Sequence, residues 1–162
     1  MADTFRVGVT GSRAYASPDI IESALITAQD DRPAAQMVLV HGRCDPRSPR
    51  GHRIGWDAAV LMPGAAQMAL HGADWLADRI ATRLGWETEP HPADWRSHPR
   101  AGGFIRNAQM VSAGAGAWLA FIDECRDPKC RRRPPERHGT HGASNCAELA
   151  EDAGIPVRRF EL

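Results

Sequence analysis

The sequence lacks any excess of positive charge, and nearly all of its cations are arginine. Lys+Arg and Asp+Glu are equal at 20 each, and Lys129 is the single lysine. Because a neutral chain has no broad field that attracts a phosphate backbone, this balance disfavours direct binding to nucleic acid. Arginine recognises phosphate and carboxylate through two parallel bonds. An arginine-rich chain also results from the base composition of the coding DNA, so this bias alone assigns no function.

Long apolar runs are also missing. No stretch of the sequence approaches the ~20 apolar residues of a membrane-spanning helix. Residues 1–4 lead directly into a predicted strand and have no features of a signal peptide. We therefore expect a cytoplasmic protein that does not associate with membranes. In that compartment the four cysteines are expected to be thiols or metal ligands rather than disulfides.

Short apolar runs alternate with segments of helical periodicity, and this order predicts the fold class. Helical patterns separate five predicted strands, at residues 5–10, 36–42, 86–90, 117–122 and 155–162. Such alternation is typical of an α/β Rossmann-like three-layer sandwich with a mostly parallel sheet of about five strands. We expect a single domain over residues 1–162, with an insertion at about 43–71 and a long loop at about 123–141.

Glycines and polar side chains follow the first two predicted strands, where ligands of parallel sheets bind. Gly11 allows close approach of the backbone to a ligand, Ser12 offers a hydroxyl and Arg13 a guanidinium. An ordinary turn is the alternative for this stretch. After the second strand, His41-Gly42 and, beyond the insertion, Gly72 and Asp74 predict an anion cradle. A residue in the position of Asp74 is more often a helix cap than a catalytic group, and His41 is equally interpretable as a half-buried side chain.

Two further loops each precede a helix. Gly102 and Gly103 come before a helix that carries Arg106 and Asn107, a pattern suited to phosphate, although Arg106 also suits a solvated helix surface. Residues 139–142, Gly-Thr-His-Gly, precede the last helix, but the rest of a dinucleotide or Walker pattern is absent. We expect all four loops to converge at one edge of the sheet. The candidate ligand-binding residues are Gly11, Ser12, Arg13, His41, Gly42, Gly72, Asp74, Arg106, Asn107, Gly139, Thr140, Gly142 and Ser144.

Several motifs in order along residues 6–157 resemble a known family. They are VTGSR, VHG, GADWLA, HPADW, AGGFIRNAQMV and a final HG…AGIPV. Together they resemble the YspA/YpsA-related branch of the SLOG superfamily, which also contains the DNA-processing protein A and the LOG phosphoribohydrolases. The resemblance implies a Rossmann-like fold, a pocket for a nucleotide or nucleotide-derived small molecule, and a homodimer.

The resemblance to the LOG enzymes also bears on catalysis. Arg106 and Met110 are similar to a helix motif of those enzymes, which implies that Arg106 grips phosphate or ribose. Cys146 stands where their Pro-Gly-Gly-x-Gly-Thr-x-x-Glu loop has its glutamate. Since a carboxylate stabilises the cationic sugar formed during N-glycosidic cleavage, Asp74 is the substitute candidate beside Arg106. Three functions remain open: ligand binding, hydrolysis of nucleoside monophosphates, and a DNA-processing accessory or partner-binding role.

Cysteines and histidines cluster near the end of the chain, and their residue types suit zinc. The four-residue gap between the first two cysteines is wide for zinc, and the run 131–133 of arginines would repel a cation. Free thiols and loop histidines are the alternative interpretation, and we favour no metal on this evidence. The candidate ligands are Cys125, Cys130, His138, His141 and Cys146.

Overall fold

The computed structural model describes residues 3–131 and 137–161, which form one five-stranded parallel sheet with helices on both faces. This arrangement is the α/β Rossmann-like fold that the alternation of strands and helices predicted. The elements in chain order are β1 (Thr4–Gly11), α1 (Pro18–Asp30), β2 (Gln36–His41), α2 (Trp56–Ala59), α3 (Gly64–Met68), α4 (Ala73–Arg83), β3 (Glu87–Pro90), α5 (Gly102–Ala113), β4 (Ala117–Ile122), α6 (His141–Asp152) and β5 (Val157–Glu161).

The strand order places the first strand at the centre of the sheet. The order is β3-β2-β1-β4-β5, and every neighbouring pair is parallel. Gly8 of β1 is in register with Val40 of β2 on one side and with Trp118 of β4 on the other. Successive strands are added outward from β1 to β3, and the chain then crosses to β4 on the other side of β1. The carboxyl ends of β1 and β4 therefore flank the topological switch point, where parallel sheets bind ligands.

Side chains along the central strands alternate between two cores, as the two-residue period of a strand requires. Val7 and Val9 of β1 belong to the core that contains Leu25 of α1 and Leu76 of α4. Gly8 lies between them and faces the other way, where a Cβ atom would overlap with the indole ring of Trp118. Helices α5 and α6 complete that second side, where Met110, Val111, Cys146 and Ala150 pack with Trp118.

Two helices begin with residue types that are typical of helix starts, and two begin earlier than the sequence predicted. Ser17 is the N-cap of α1 and Pro18 its first residue, and α4 begins directly after Gly72, which has a φ of 127°. Helices α5 and α6 each begin two residues earlier than the periodicity indicated, at Gly102 and His141. Gly142 is therefore inside the first turn of α6 and not in the loop before it, because Thr140 occupies the N-cap position.

The insertion at 43–71 folds against the sheet as part of the main core. Trp56 and Ala59 of α2 are buried there. The indole of Trp56 contacts that of Trp75 edge-on at 5.0 Å between ring centroids and stacks on His41 at 5.5 Å. Arg47 forms isolated bridges with Arg53 and His71, which tie the two ends of the segment together. The segment is thus fixed by buried aromatic contacts.

Across the described ranges 3–131 and 137–161, the helices are all too short or too polar to cross a bilayer.

Candidate functional site

A pocket of about 1330 Å³ opens at the carboxyl edge of the sheet. The loops after β1 and β4 form two of its sides, so the pocket lies at the switch point. Ser12, Arg106 and Gly142 come from distant parts of the chain, and all three line it. The strand-end loops therefore converge at one edge, as their positions in the sequence predicted.

Most of the candidate ligand-binding residues line this pocket, and four do not. Those in the lining are Gly11, Ser12, Arg13, Gly42, Asp74, Arg106, Asn107, Thr140 and Gly142. Those outside it are His41, Gly72, Gly139 and Ser144.

Ser12 joins the two loops that flank the switch point. Its Oγ lies 2.6 Å from Oγ1 of Thr140 and accepts the backbone N–H of Asp123 at 2.8 Å. Its own backbone N–H donates to the carbonyl oxygen of Phe121 at 2.9 Å. Since Ser12 is only 3% exposed, these bonds are shielded from water. The hydroxyl that the sequence offered as a ligand donor therefore holds β1, β4 and the start of α6 together.

Arg106 is also largely committed to the protein. It is 8% exposed, and its guanidinium donates to the carbonyl oxygen of Gly42, to Oδ1 of Asn107 at 3.0 Å and to Sγ of Cys44 at 3.5 Å. Asn107 in turn donates to the carbonyl oxygen of Gly142 at 3.1 Å, which connects α5 to α6. Arg106 thus places a permanent positive charge in the pocket wall while fixing the loop after β2.

Asp74 is the second residue of α4 and is 5% exposed. Its Oδ2 accepts the backbone N–H of Cys44 at 3.1 Å. Burial, together with the Asp74 carboxylate, raises the pKa of the Cys44 thiol to about 11, so this thiol is neutral at pH 7. Asp74 therefore anchors the start of the insertion and presents a buried carboxylate in the pocket wall beside Arg106.

The structure places His41 in the core rather than in the pocket lining. Its side chain is fully buried, and its Nε2 lies 3.0 Å from the carboxylate of Asp78 on α4. Its Nδ1 accepts the N–H of Arg43 at 3.1 Å. Burial by itself raises the pKa of Asp78, but His41 and Arg79 lower it below its usual range. His41 is on the same side of β2 as Leu39, and this side faces α4.

Three further candidates have structural contacts outside the lining. Gly72 donates its N–H to the carbonyl oxygen of Tyr15 at 2.8 Å, and a Cβ there would lie 3.3 Å from the carbonyl oxygen of Arg13. Gly139 forms an antiparallel β-bridge with Glu124, and the N–H of Ser144 donates to the carbonyl oxygen of Thr140 within the first turn of α6. These residues shape the loops whose neighbours line the pocket.

Aromatic and acidic residues of the lining complete the site. Trp95 and Phe104 are 45% and 49% exposed, and the guanidinium of Arg13 lies 5.8 Å from the indole centroid of Trp95. Asp123 follows β4 directly, and burial raises its pKa although Arg126 offsets part of this effect. Sequence reasoning weighed Trp95 but missed Phe104 and Asp123. The rule that ligands bind after parallel strands would have found Asp123.

Arginine outnumbers the acidic residues in the lining. Six arginines and four carboxylates line the described pocket, so its net charge is positive. The arginines are Arg13, Arg47, Arg100, Arg106, Arg126 and Arg137, and the acidic residues are Asp74, Asp123, Glu124 and Asp127. A concave surface with this excess attracts anions even though the chain as a whole is neutral.

The helix α6 directs its N-terminus to the same pocket. Thr140 is the N-cap of α6, but its hydroxyl bonds to Ser12 and, among the described residues, no side chain caps the helix. Gly142 and Ala143 of the first turn line the pocket. Because the first amide groups of a helix have no partners inside it, they favour an anion at this position.

A second cluster lies beside the pocket and could hold a metal ion. The ligand atoms of Cys125, Cys130, His138 and His141 all lie within 4.8 Å of one another. Sγ of Cys130 is 3.3 Å from Nε2 of His138 and 3.3 Å from Nε2 of His141. The two Nε2 atoms are 3.1 Å apart, and Sγ of Cys125 is 3.9 Å from Nε2 of His141. This Cys/His cluster supplies four soft or borderline ligands around one point.

Cys146, the fifth metal candidate, is not part of the Cys/His cluster. It is fully buried in the core under α6, where it packs with Met110 and Trp118. Burial raises the pKa of its thiol to about 12. A cysteine that binds a metal does so as a thiolate, so this environment is unsuitable for a metal ligand.

The run 131–133 of arginines is described only at Arg131, and the other two residues lie outside the described ranges.

Comparison with known proteins gives one relationship of clear significance. No family model matches the sequence, and no solved structure matches it. The chain is 36% identical over 114 residues to the Gene 61 protein of Mycobacterium phage D29, and the aligned region covers 67% of this chain and 76% of that protein. At this identity and coverage, the chain belongs to the same family as the phage D29 Gene 61 protein.

Proposed function

We propose that this chain is a SLOG-type domain that binds a nucleotide or nucleotide-derived small molecule in the switch-point pocket. The observation that carries the proposal is the meeting of an arginine-rich lining with two exposed aromatic rings in one pocket. Phosphate requires cations or amide donors, and a base requires a flat apolar surface. The pocket, at about 1330 Å³, is large enough for both parts of such a ligand.

The roles of the residues follow from their exposure. Arg13 and Arg100 are exposed and line the pocket, so they are the candidates for direct contact with phosphate. Trp95 and Phe104 are the candidates for stacking on the base. Arg106 contributes charge from the wall and keeps Gly42 in place.

The first experiment identifies the ligand without assuming it. Freshly purified protein is denatured, and the small molecules released are analysed by mass spectrometry. In parallel, calorimetry measures binding of AMP, ADP-ribose, NAD and a cyclic dinucleotide. Arg13→Gln is expected to weaken binding by roughly tenfold or more, the size of one charge-assisted bond. Arg83→Gln, a change of the same type on α4 outside the pocket lining, is the matched control. If the protein binds none of these probes, the proposal is wrong.

A phosphoribohydrolase reaction is the second candidate, favoured by the buried carboxylate of Asp74 beside Arg106. In this reaction water attacks C1′ of the ribose, and the base departs with a proton. The test is release of free adenine from AMP, with Asp74→Asn as the variant, since asparagine retains an oxygen to accept the Cys44 N–H. Release of adenine at the same rate in that variant would show that Asp74 has no part in the reaction.

We also propose that the Cys/His cluster binds zinc. With Zn–S near 2.3 Å and Zn–N near 2.0–2.1 Å, a tetrahedral site has ligand atoms about 3.3–3.8 Å apart. Four of the separations within the cluster, at 3.1, 3.3, 3.3 and 3.9 Å, are close to this range, and all its ligand atoms lie within 4.8 Å of one another. Elemental analysis is expected to find one zinc per chain, lost in Cys125→Ser and retained in His52→Ala, whose histidine is exposed elsewhere. Metal-free protein after expression in zinc-supplemented medium would contradict this assignment.

A further inference from the structure

The Cys/His cluster and the pocket share one segment of chain. Cys125 lies between the pocket-lining residues Glu124 and Arg126, and His138 directly follows Arg137. His141 lies between Thr140 and Gly142, both of which line the pocket. Residues that line the pocket are therefore interspersed along the chain with the four residues of the Cys/His cluster.

Backbone hydrogen bonds connect the two arms of this segment. Cys125 donates its N–H to the carbonyl oxygen of His138 at 2.8 Å, and Thr140 donates to that of Asp123 at 3.0 Å. Glu124 and Gly139 form an antiparallel bridge between these bonds. The cluster thus closes the end of a short two-stranded ladder, and the ladder ends at Thr140, whose hydroxyl reaches Ser12.

The described residues from Asp123 to Gly142 form one wall of the pocket, and buried apolar side chains contribute little to the stability of this wall. Between the end of β4 and Ala143, every described residue is at least partly exposed. A segment without buried apolar side chains has little hydrophobic free energy to offset the entropy of ordering. Four ligand atoms that join Cys125 and Cys130 to His138 and His141 would supply this order instead.

We infer that metal binding at the Cys/His cluster builds one wall of the pocket and thereby sets the affinity of the pocket for its anionic ligand. This inference rests on the proposed function for its ligand and on the cluster geometry for its metal. The metal is a divalent ion of the zinc type, and the ligand is a nucleotide-derived anion. Because such coupling is reciprocal, the ligand strengthens metal binding by the same factor.

The test compares zinc-loaded protein with protein stripped by a chelator under reducing conditions. Hydrogen exchange is measured at the amides of Cys125 and Thr140, and calorimetry measures AMP, ADP-ribose, NAD and a cyclic dinucleotide. Stripping is expected to speed exchange at these two amides while the amides of β1 remain protected. The affinity of any probe that binds is expected to fall by roughly 5- to 150-fold, the usual range of coupling between sites.

Matched variants separate coupling from general damage. Cys125→Ser is expected to behave as stripped protein does, and His52→Ala as the loaded wild type. Unchanged exchange at Cys125 and Thr140 on stripping overturns the inference, and so does a probe that binds both forms equally. If no probe binds either form, the proposed function is wrong, and the exchange result alone decides whether the metal orders this wall.

Discussion

Oγ of Ser12 and Oγ1 of Thr140 lie 2.6 Å apart, although 128 positions separate them in the chain. Ser12 directly follows the central strand β1 and begins the turn after it, and Thr140 is the N-cap of the last helix. The same Ser12 oxygen holds the N–H of Asp123 at the end of β4. One buried hydroxyl thus sets the distance between the two loops that flank the switch point.

Ser12→Ala is expected to destabilise the protein. The change leaves the Asp123 N–H without its acceptor in a partly buried position, so a loss of about 1 kcal/mol is expected. Urea unfolding at pH 7 gives the difference in the free energy of unfolding. Thr140→Val removes the other hydroxyl but keeps the Ser12–Asp123 bond, so a smaller loss is expected. The double variant should lose less than the sum, because both changes break one shared bond. Strict additivity would contradict the direct bond.

Gly11→Ala is expected to destabilise the fold by overpacking. A Cβ at this position would overlap with that of Ala73 and lie 2.7 Å from the carbonyl oxygen of Phe121. Neither α4 nor β4 offers a flexible side chain that can move away, so the expected loss is about 1–3 kcal/mol or more. Thermal and urea unfolding measure it. Gly64→Ala in α3, where a Cβ meets nothing within 4 Å, is the matched control and should stay within about 0.5 kcal/mol.

The pair Arg6–Glu89 is expected to make stability depend on acid pH. The bond from Arg6 lowers the pKa of Glu89 from 4.5 to about 2, with a smaller contribution from His91. Because the folded pKa is depressed, the stabilisation is fully present above 4.5 and is lost as the pH falls to about 2. Both side chains are about a third exposed, which limits the pair to under ~1 kcal/mol.

Glu89→Gln measures this contribution. The difference in unfolding free energy between wild type and variant should be largest at neutral pH and shrink through the window from 4.5 to about 2. A difference that stays constant across this window would show that the charge of Glu89 does not cause it.

Trp95 is expected to report ligand binding by fluorescence. It is 45% exposed in the pocket lining, whereas the other four tryptophans are at most 8% exposed. Stacking of a base on its indole should quench emission in proportion to occupancy measured by calorimetry. Trp95→Phe keeps a ring for stacking but should lose the signal. Binding by calorimetry with unchanged emission in the wild type would place the base elsewhere in the pocket.

The sequence predicted β2 and β4 well because buried parallel strands are short continuous apolar runs. Gly72 precedes α4 and Gly85 follows it, and their φ values of 127° and 81° favour glycine at both positions. The sequence does not show which face of the sheet a strand-end side chain joins. His41 was placed at the pocket for this reason, but it follows Leu39 on the side of α4.

Long-range packing explains the other differences. Arg106 and Asn107 were predicted at the site, but nothing local indicates that their side chains bond Gly42 and Gly142. Cys146 is only five residues from His141, yet the helical turn directs it into the core. Whether a side chain faces a ligand or a neighbouring element depends on tertiary packing, which a single sequence does not reveal.

The two segments beside the pocket differ in how they are held. The insertion at 43–71 contributes Trp56, Ala59 and Leu70 to the main core, so it cannot swing outward without exposing the indole of Trp75. The second segment, from the end of β4 to Gly142, has no buried residue among those described. The first segment is therefore held by the core that stabilises the whole fold, whereas the described residues around Glu124 and Thr140 are held mainly by hydrogen bonds.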